Sequence, residues 1–133
     1  RIFFHILLMY IIFIYMKVII KDNIFKVKLC TTEKSIKEGM MGKRFNKDFN
    51  GMLFMMPESG EQSFWTYNCI IPLDIIMIDN GVINDIHSNC TPCDDISKCK
   101  SYVGNGSEVL ELYGGSCEEM GIKKGDSVSF SLF

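Results

Sequence analysis

Asn80-Gly81 sits between two apolar runs, and it is the feature that most restricts how this chain can fold. An Asn-Gly pair accepts left-handed backbone at both centre positions of a two-residue turn. That geometry has the twist antiparallel strands need. With Ile78-Asp79 before it and Val82 after it, the pair predicts a hairpin of Leu73–Ile78 and Val82–His87. The first arm is apolar at nearly every position. Such a strand cannot stand in an isolated hairpin, so the rest of the chain must supply more sheet.

The remaining segments do so in short bursts. Phe25, Val27 and Leu29 alternate with Lys26 and Lys28, a period of two that marks a half-buried strand. Thr32 offers a cap for a polar helix over Glu33 to Glu38, ended by Gly39. Met52 to Met56 forms a continuous apolar run that Pro57 is expected to stop, and Ser63 to Tyr67 is the next strand candidate. A loop with three cysteines is expected from Asn89 to about Gly106, with Gly104, Gly106, Gly114 and Gly115 serving as turn glycines. A strand at Val109–Tyr113, a short helix Ser116–Met120 capped by Ser116, and a strand at Ser127–Phe130 complete the pattern. The fold class is therefore mostly β (α+β), a small single-domain β barrel with two short helices spanning residues 16–133. Its core should contain Phe25, Val27, Leu53, Phe54, Ile75, Met77, Val109 and Leu110.

Residues 1–15, RIFFHILLMYIIFIY, stand apart as a nearly unbroken apolar run. The run is short for a bilayer span, which takes about 20 residues. It also lacks the small residues a signal-peptide cleavage site requires, since no Gly, Ala or Ser precedes Ser35. It reads as translated upstream sequence before Met16 or as an uncleaved anchor, with a packed strand or helix as a third reading. Location follows from that choice: membrane-anchored or exported in the second case, cytoplasmic if the chain starts at Met16. A membrane is a partner only if residues 1–15 are a real anchor.

Function is constrained mainly by exclusion. The net charge of −2, with charges interspersed, leaves no basic stripe for a phosphate backbone, so no nucleic-acid partner is expected. No Gly-Lys-Ser/Thr follows the loop glycines, and no Gly-x-Ser-x-Gly or Cys/His nucleophile arrangement occurs. Asp85 and His87 share one face of the expected return strand, but a third metal ligand at a defined spacing is missing. No metal and no cofactor are expected. The six cysteines allow fifteen pairings. Cys90-x-x-Cys93 has the spacing of a redox motif without a helix N-terminus to lower a thiol pKa.

Several segments occur in one characteristic order. They are Gly39-Met40-Met41-Gly42-Lys43-Arg44, Asn50-Gly51-Met52-Leu53-Phe54, Pro57-Glu58, Phe64-Trp65-Thr66-Tyr67-Asn68-Cys69 and Pro72-Leu73-Asp74-Ile75. Pro92-Cys93, Cys99 and Tyr102 follow, then Val109-Leu110-Glu111-Leu112 and Met120 to Val128. From Asp22 to Phe130 the chain resembles the bacterial and archaeal family called domain of unknown function 192. That family typically reads Gly-Leu-Met-x-Arg, then Phe-Trp-Met-Lys-Asn-Thr, then Pro-Leu-Asp-Ile. This chain departs from it with Lys43 in place of Arg, Thr66-Tyr67 in place of Met-Lys, Cys69 in place of Thr, and Lys100 in place of Pro. Lys and Arg are not interchangeable where a bidentate contact is needed. The resemblance implies a fold and a conspicuous surface near Trp65, not a reaction. It also singles out Cys93 and Cys99 as a disulfide pair.

Trp65, Asn68, Asp74 and Lys43 are the candidate ligand or partner surface. Tryptophan supplies a flat apolar face with one donor, and an amide and a carboxylate could orient a polar ligand. Structural roles compete: Asn68 could turn the chain, and Asp74, between Leu73 and Ile75, could satisfy backbone donors. The expected function is a small binding or accessory domain rather than an enzyme, its partner a small molecule or a protein. The alternatives are a thiol–disulfide redox protein using the Cys90/Cys93/Cys99 loop, and a hydrolase using Asp74 or Asp85.

Overall fold

In the computed structural model, which describes residues 2–5 and 16–132, the Asn80-Gly81 turn is present. Both residues are left-handed, at φ 49° and 72°, and they join β4 (Leu73–Asp79) to β5 (Val82–Cys90). A second turn of the same kind, with Lys21 and Asp22 at positive φ, joins β1 (Lys17–Ile20) to β2 (Asn23–Cys30). The chain continues through α1 (Glu33–Glu38), β3 (Gly51–Phe64), β4, β5, β6 (Tyr102–Tyr113), α2 (Ser116–Met120) and β7 (Ser129–Ser131). Residues 2–5 form a helical turn, which makes three short helices among the described residues where two were expected. Among the described residues no helix is long and apolar enough to cross a membrane. The readings of residues 1–15 otherwise fall on residue 1 and residues 6–15, outside the described residues.

The seven strands form one sheet in the order β5-β4-β6-β3-β2-β1-β7. Only β2 and β3, separated by α1, run parallel; the other pairs are antiparallel. The sheet curls into a half-barrel. Its two ends approach through a single bridge, Val82 to Ser127, with Ile83 N donating to Asp126 O and Val128 N to Gly81 O. The concave side holds Val18, Ile20, Val27, Leu53, Ile76 and Leu110, among others. The convex side holds a second apolar cluster that includes Met52, Phe54, Ile75, Met77 and Val109. Alternate residues of β4 therefore face different cores, which explains its apolar run from Ile75 to Ile78. All eight residues expected in the core are buried.

Three local expectations are corrected. First, Pro57 does not stop β3, which runs to Phe64. The β3/β6 register shifts between Met55 and Gly60, and β2 pairs with β3 only as far as Phe54. Pro57 thus lies in an irregular stretch of strand, where a missing N–H breaks no ladder bond. Second, β6 starts at Tyr102, so Gly104 and Gly106 are strand residues and not turn glycines. A Cβ on Gly106 would sit 2.6 Å from the Ile78 carbonyl oxygen, and one on Gly104 2.7 Å from Met77 Cγ. The close approach of β6 to β4 is what requires glycine. Third, Gly115, not Ser116, is the N-cap of α2 and makes no side-chain cap bond. Asp74 takes over that role from β4.

Candidate functional site

The convex core is covered by two segments with a hollow between them. The first begins at α1. Thr32 and Ser35 form a reciprocal capping box at its start, and Gly39 ends it at φ 44°. A Cβ at Gly39 would come within 3.2 Å of the Phe54 ring, so glycine lets the chain press down on the sheet and bury Met40. The second segment, residues 65–72, leaves the end of β3. It is tied to the first by the Met41–Cys69 bridge and by Gly42 N donating to Asn68 O at 2.9 Å.

On its other side the second segment is tied to the cysteine loop. Tyr67 bridges Cys93, Asn68 N donates to Cys93 O at 2.8 Å, and Cys93 N donates to Thr66 O at 3.2 Å. The buried Thr66 hydroxyl adds a 2.6 Å bond to Thr91 O. Cys93 and Cys99 form a disulfide with Cα atoms 5.6 Å apart. The loop it closes therefore braces the strip carrying Trp65 and Tyr67.

The hollow has a volume of about 260 Å³. Half-buried Trp65 and Tyr67 stand at its mouth, their ring centroids 5.2 Å apart and their planes tilted by 48°. Met40, Met41, Met56 and Phe64 give it apolar walls, and Phe54 and Glu111 form the sheet side. Phe54 and Phe64 pack edge to face at 4.9 Å.

Glu111 is the unusual member. It pairs in register with Met52 and Ile75 in the middle of the sheet, so it shares their convex face. It is only 2% exposed. Among the described residues no hydrogen bond or ion pair reaches its carboxylate. Since none of their side-chain oxygens is both fully buried and unpartnered, the slight exposure of its oxygens opens into the hollow it lines. Burial alone pushes its carboxyl up to about 8, so at neutral pH it is mainly protonated and can donate as well as accept. Charges at the rim are mixed, with exposed Lys37 beside Glu38. Sequence reasoning passed over Glu111. The available signal was a lone carboxylate between Leu110 and Leu112 in a strand that had to be buried.

The other candidate residues separate. Asn68 is exposed, at φ 57°, and turns the covering segment through its backbone. Asp74 is fully buried. Its Oδ1 accepts from Asn89 N at 2.7 Å and Gly115 N at 2.9 Å, and its Oδ2 from Cys117 N at 2.8 Å. That carboxylate fixes β4, β5 and the start of α2 together and leaves nothing for a ligand. Lys43 is half-buried beside the hollow, and its charge acts on Cys30 and Cys69 without lining the wall. Of the four proposed surface residues, only Trp65 reaches the cavity.

Asp85 Oδ2 and His87 Nε2 lie 3.9 Å apart, with His87 Nε2 also 2.8 Å from Val103 O. Among the described residues no three His, Cys, Asp or Glu side chains cluster to hold a metal. Cys90 is buried and reduced, its Sγ 3.3 Å from His87 O. Burial pushes its thiol up to about 11 and those of Cys30, Cys69 and Cys117 to about 11, 12 and 12. At neutral pH such thiols carry almost no nucleophilic thiolate.

A curled half-barrel with an apolar cavity on its convex face, floored by one carboxylate, is the class of domain that this fold and site define. The profile of the domain of unknown function 192 family, described as "Uncharacterized ACR", matches residues 16–130, and the chain belongs to that family. No curated protein matches the sequence. Two solved structures are similar. One, from Sinorhizobium meliloti and provisionally described as a transcription regulator, shares 25% identity at a TM-score of 0.76, over 89% of this chain and 93% of that one. The other, a protein of unknown function from Novosphingobium aromaticivorans, shares 30% identity at a TM-score of 0.73, over 86% and 82% of the two chains.

Proposed function

We propose that this protein is a small binding domain and that its ligand occupies the cavity beneath Trp65. The observation that carries this reading is the nearly buried carboxylate of Glu111, which has no partner among the described residues and opens into a hollow of about 260 Å³. A buried polar group without a partner costs stability. A site that keeps one at the base of an apolar cavity is built for a group arriving from outside. The bracing of the Trp65–Tyr67 strip by two neighbouring segments supports a largely preformed pocket, which lowers the ordering cost of binding. The walls lack a nucleophile poised beside a base: Cys69 lines the cavity, but burial raises its thiol to about 12. Binding is the better reading than catalysis.

Methionine methyl groups provide the test, since Met40, Met41 and Met56 all line the cavity. A small-molecule fragment screen on protein labelled at methionine methyls should yield compounds that saturably shift those three resonances. Compounds that bind only elsewhere, leaving the three unmoved, would defeat the proposal.

A further inference from the structure

The cavity pairs one acidic floor group with mainly apolar walls, and its other charged side chains, Lys37 and Glu38, are exposed, as is Ser63. Glu111 is mainly protonated in the empty cavity, but a cation brought beside it favours the ionised form. That form accepts hydrogen bonds and donates none, so a donor with positive charge gains both an ion pair and a hydrogen bond there. The apolar side chains around Glu111, Met40, Phe54 and Phe64, offer no hydrogen-bond partner to further polar groups, so the part of the ligand lying against them is best hydrocarbon. A divalent metal needs several ligands, and no such cluster exists among the described residues. An anion would face Glu111. Internal neutralisation is also lacking: Lys37 is exposed at the rim, and Lys43 acts on the thiols of Cys30 and Cys69. The tilted Trp65 and Tyr67 rings at the mouth add aromatic faces that attract a passing cation.

We infer that the cavity takes a primary alkylammonium, its head ion-paired with Glu111 and its chain lying against Met40, Phe54 and Phe64 beneath Trp65. This inference rests on the cavity being a ligand site. The volume equals that of about eight or nine waters at roughly 30 Å³ each, ample for a six-carbon amine. Cys30, Cys69 and Cys90 are the buried thiols close enough for the Glu111 charge to act on them. A thiol is at best a weak hydrogen-bond partner for a carboxylate, which leaves an incoming ammonium without strong competition.

The test uses the full chain and three probes of equal length: hexylammonium, 1-hexanol and hexanoate. Trp65, the single tryptophan, reports binding by fluorescence. At pH 8 hexylammonium should bind at least about tenfold more tightly than the other two, in line with a charge-assisted hydrogen bond. Glu111→Gln should remove that preference while leaving 1-hexanol affinity within about threefold. In the wild-type protein, hexylammonium affinity should fall about tenfold per pH unit below pH 8, because the carboxyl must release its proton to pair. This arm stands even if the variant folds poorly. Tighter binding of 1-hexanol or hexanoate at the cavity would overturn the ammonium assignment and leave the binding-domain reading intact. Failure of all three probes to move Trp65 fluorescence or the cavity methionine methyls would overturn both.

Discussion

Replacing Glu111 with Gln isolates the energetic consequence of burying a carboxyl without a partner. The group titrates at about 8 in the folded protein, against an ordinary value of 4.5. Between those values the folded state holds a proton that the unfolded chain has released, so stability falls as pH rises. The contribution is complete below about pH 4.5 and lost by about pH 8. At about 1.4 kcal/mol per pH unit, the full loss is about 5 kcal/mol. That is a large share of a small domain's typical stability of about 5–15 kcal/mol. The neighbouring thiols of Cys30, Cys69 and Cys90, raised to about 11, 12 and 11, stay neutral across this window. The experiment is urea unfolding of both proteins at several pH values from 4.5 to 8, followed by Trp65 fluorescence. A Gln amide adds a pH-independent offset, so the quantity to compare is the slope. The wild type should lose about 5 kcal/mol relative to Glu111→Gln across the window. Parallel curves for the two proteins would refute the placement of Glu111 as a buried, unpartnered acid.

Three further substitutions test other parts of the structure. Phe54→Ala, at a fully buried ring shared by the convex core and the cavity, should cost about 3–5 kcal/mol; an unchanged urea midpoint would contradict that placement. Asp74→Ala strands three backbone donors and should cost more than about 3 kcal/mol, with early loss of amide protection at Gly115 and Cys117. Cys99→Ser opens the short disulfide loop and should cost about 2 kcal/mol, with increased hydrogen exchange at Asn68 N, which donates to Cys93 O. Unaltered exchange there would show that the loop does not brace the Trp65 strip.

The parts of this fold legible in the sequence are those set by local chemistry. Asn80-Gly81 fixed a hairpin because few other pairs accept two successive left-handed residues, and Thr32 marked a helix start through its side-chain bond to Ser35 N. The core residues followed from alternation and apolar runs. What escaped depends on neighbours far along the chain. Pro57 is tolerated because β3 has passed the end of β2 and the β6 register slips beside it. Gly104 and Gly106 are strand residues because β4 approaches too closely for a Cβ. Asp74 caps a helix more than forty positions away, a partnership no local pattern encodes. Trp65, which lines the cavity, stood out through its motif. Glu111 sits equally plainly in the sequence, but its isolation appears only once both faces of the sheet are assigned.

A crystal structure grown with hexylammonium tests the central claim most directly. The ligand should lie beneath Trp65, its nitrogen within hydrogen-bond distance of the Glu111 carboxylate and its chain against Met40 and Phe64. An empty cavity with the amine bound elsewhere, or a protein cation already paired with Glu111, would contradict it.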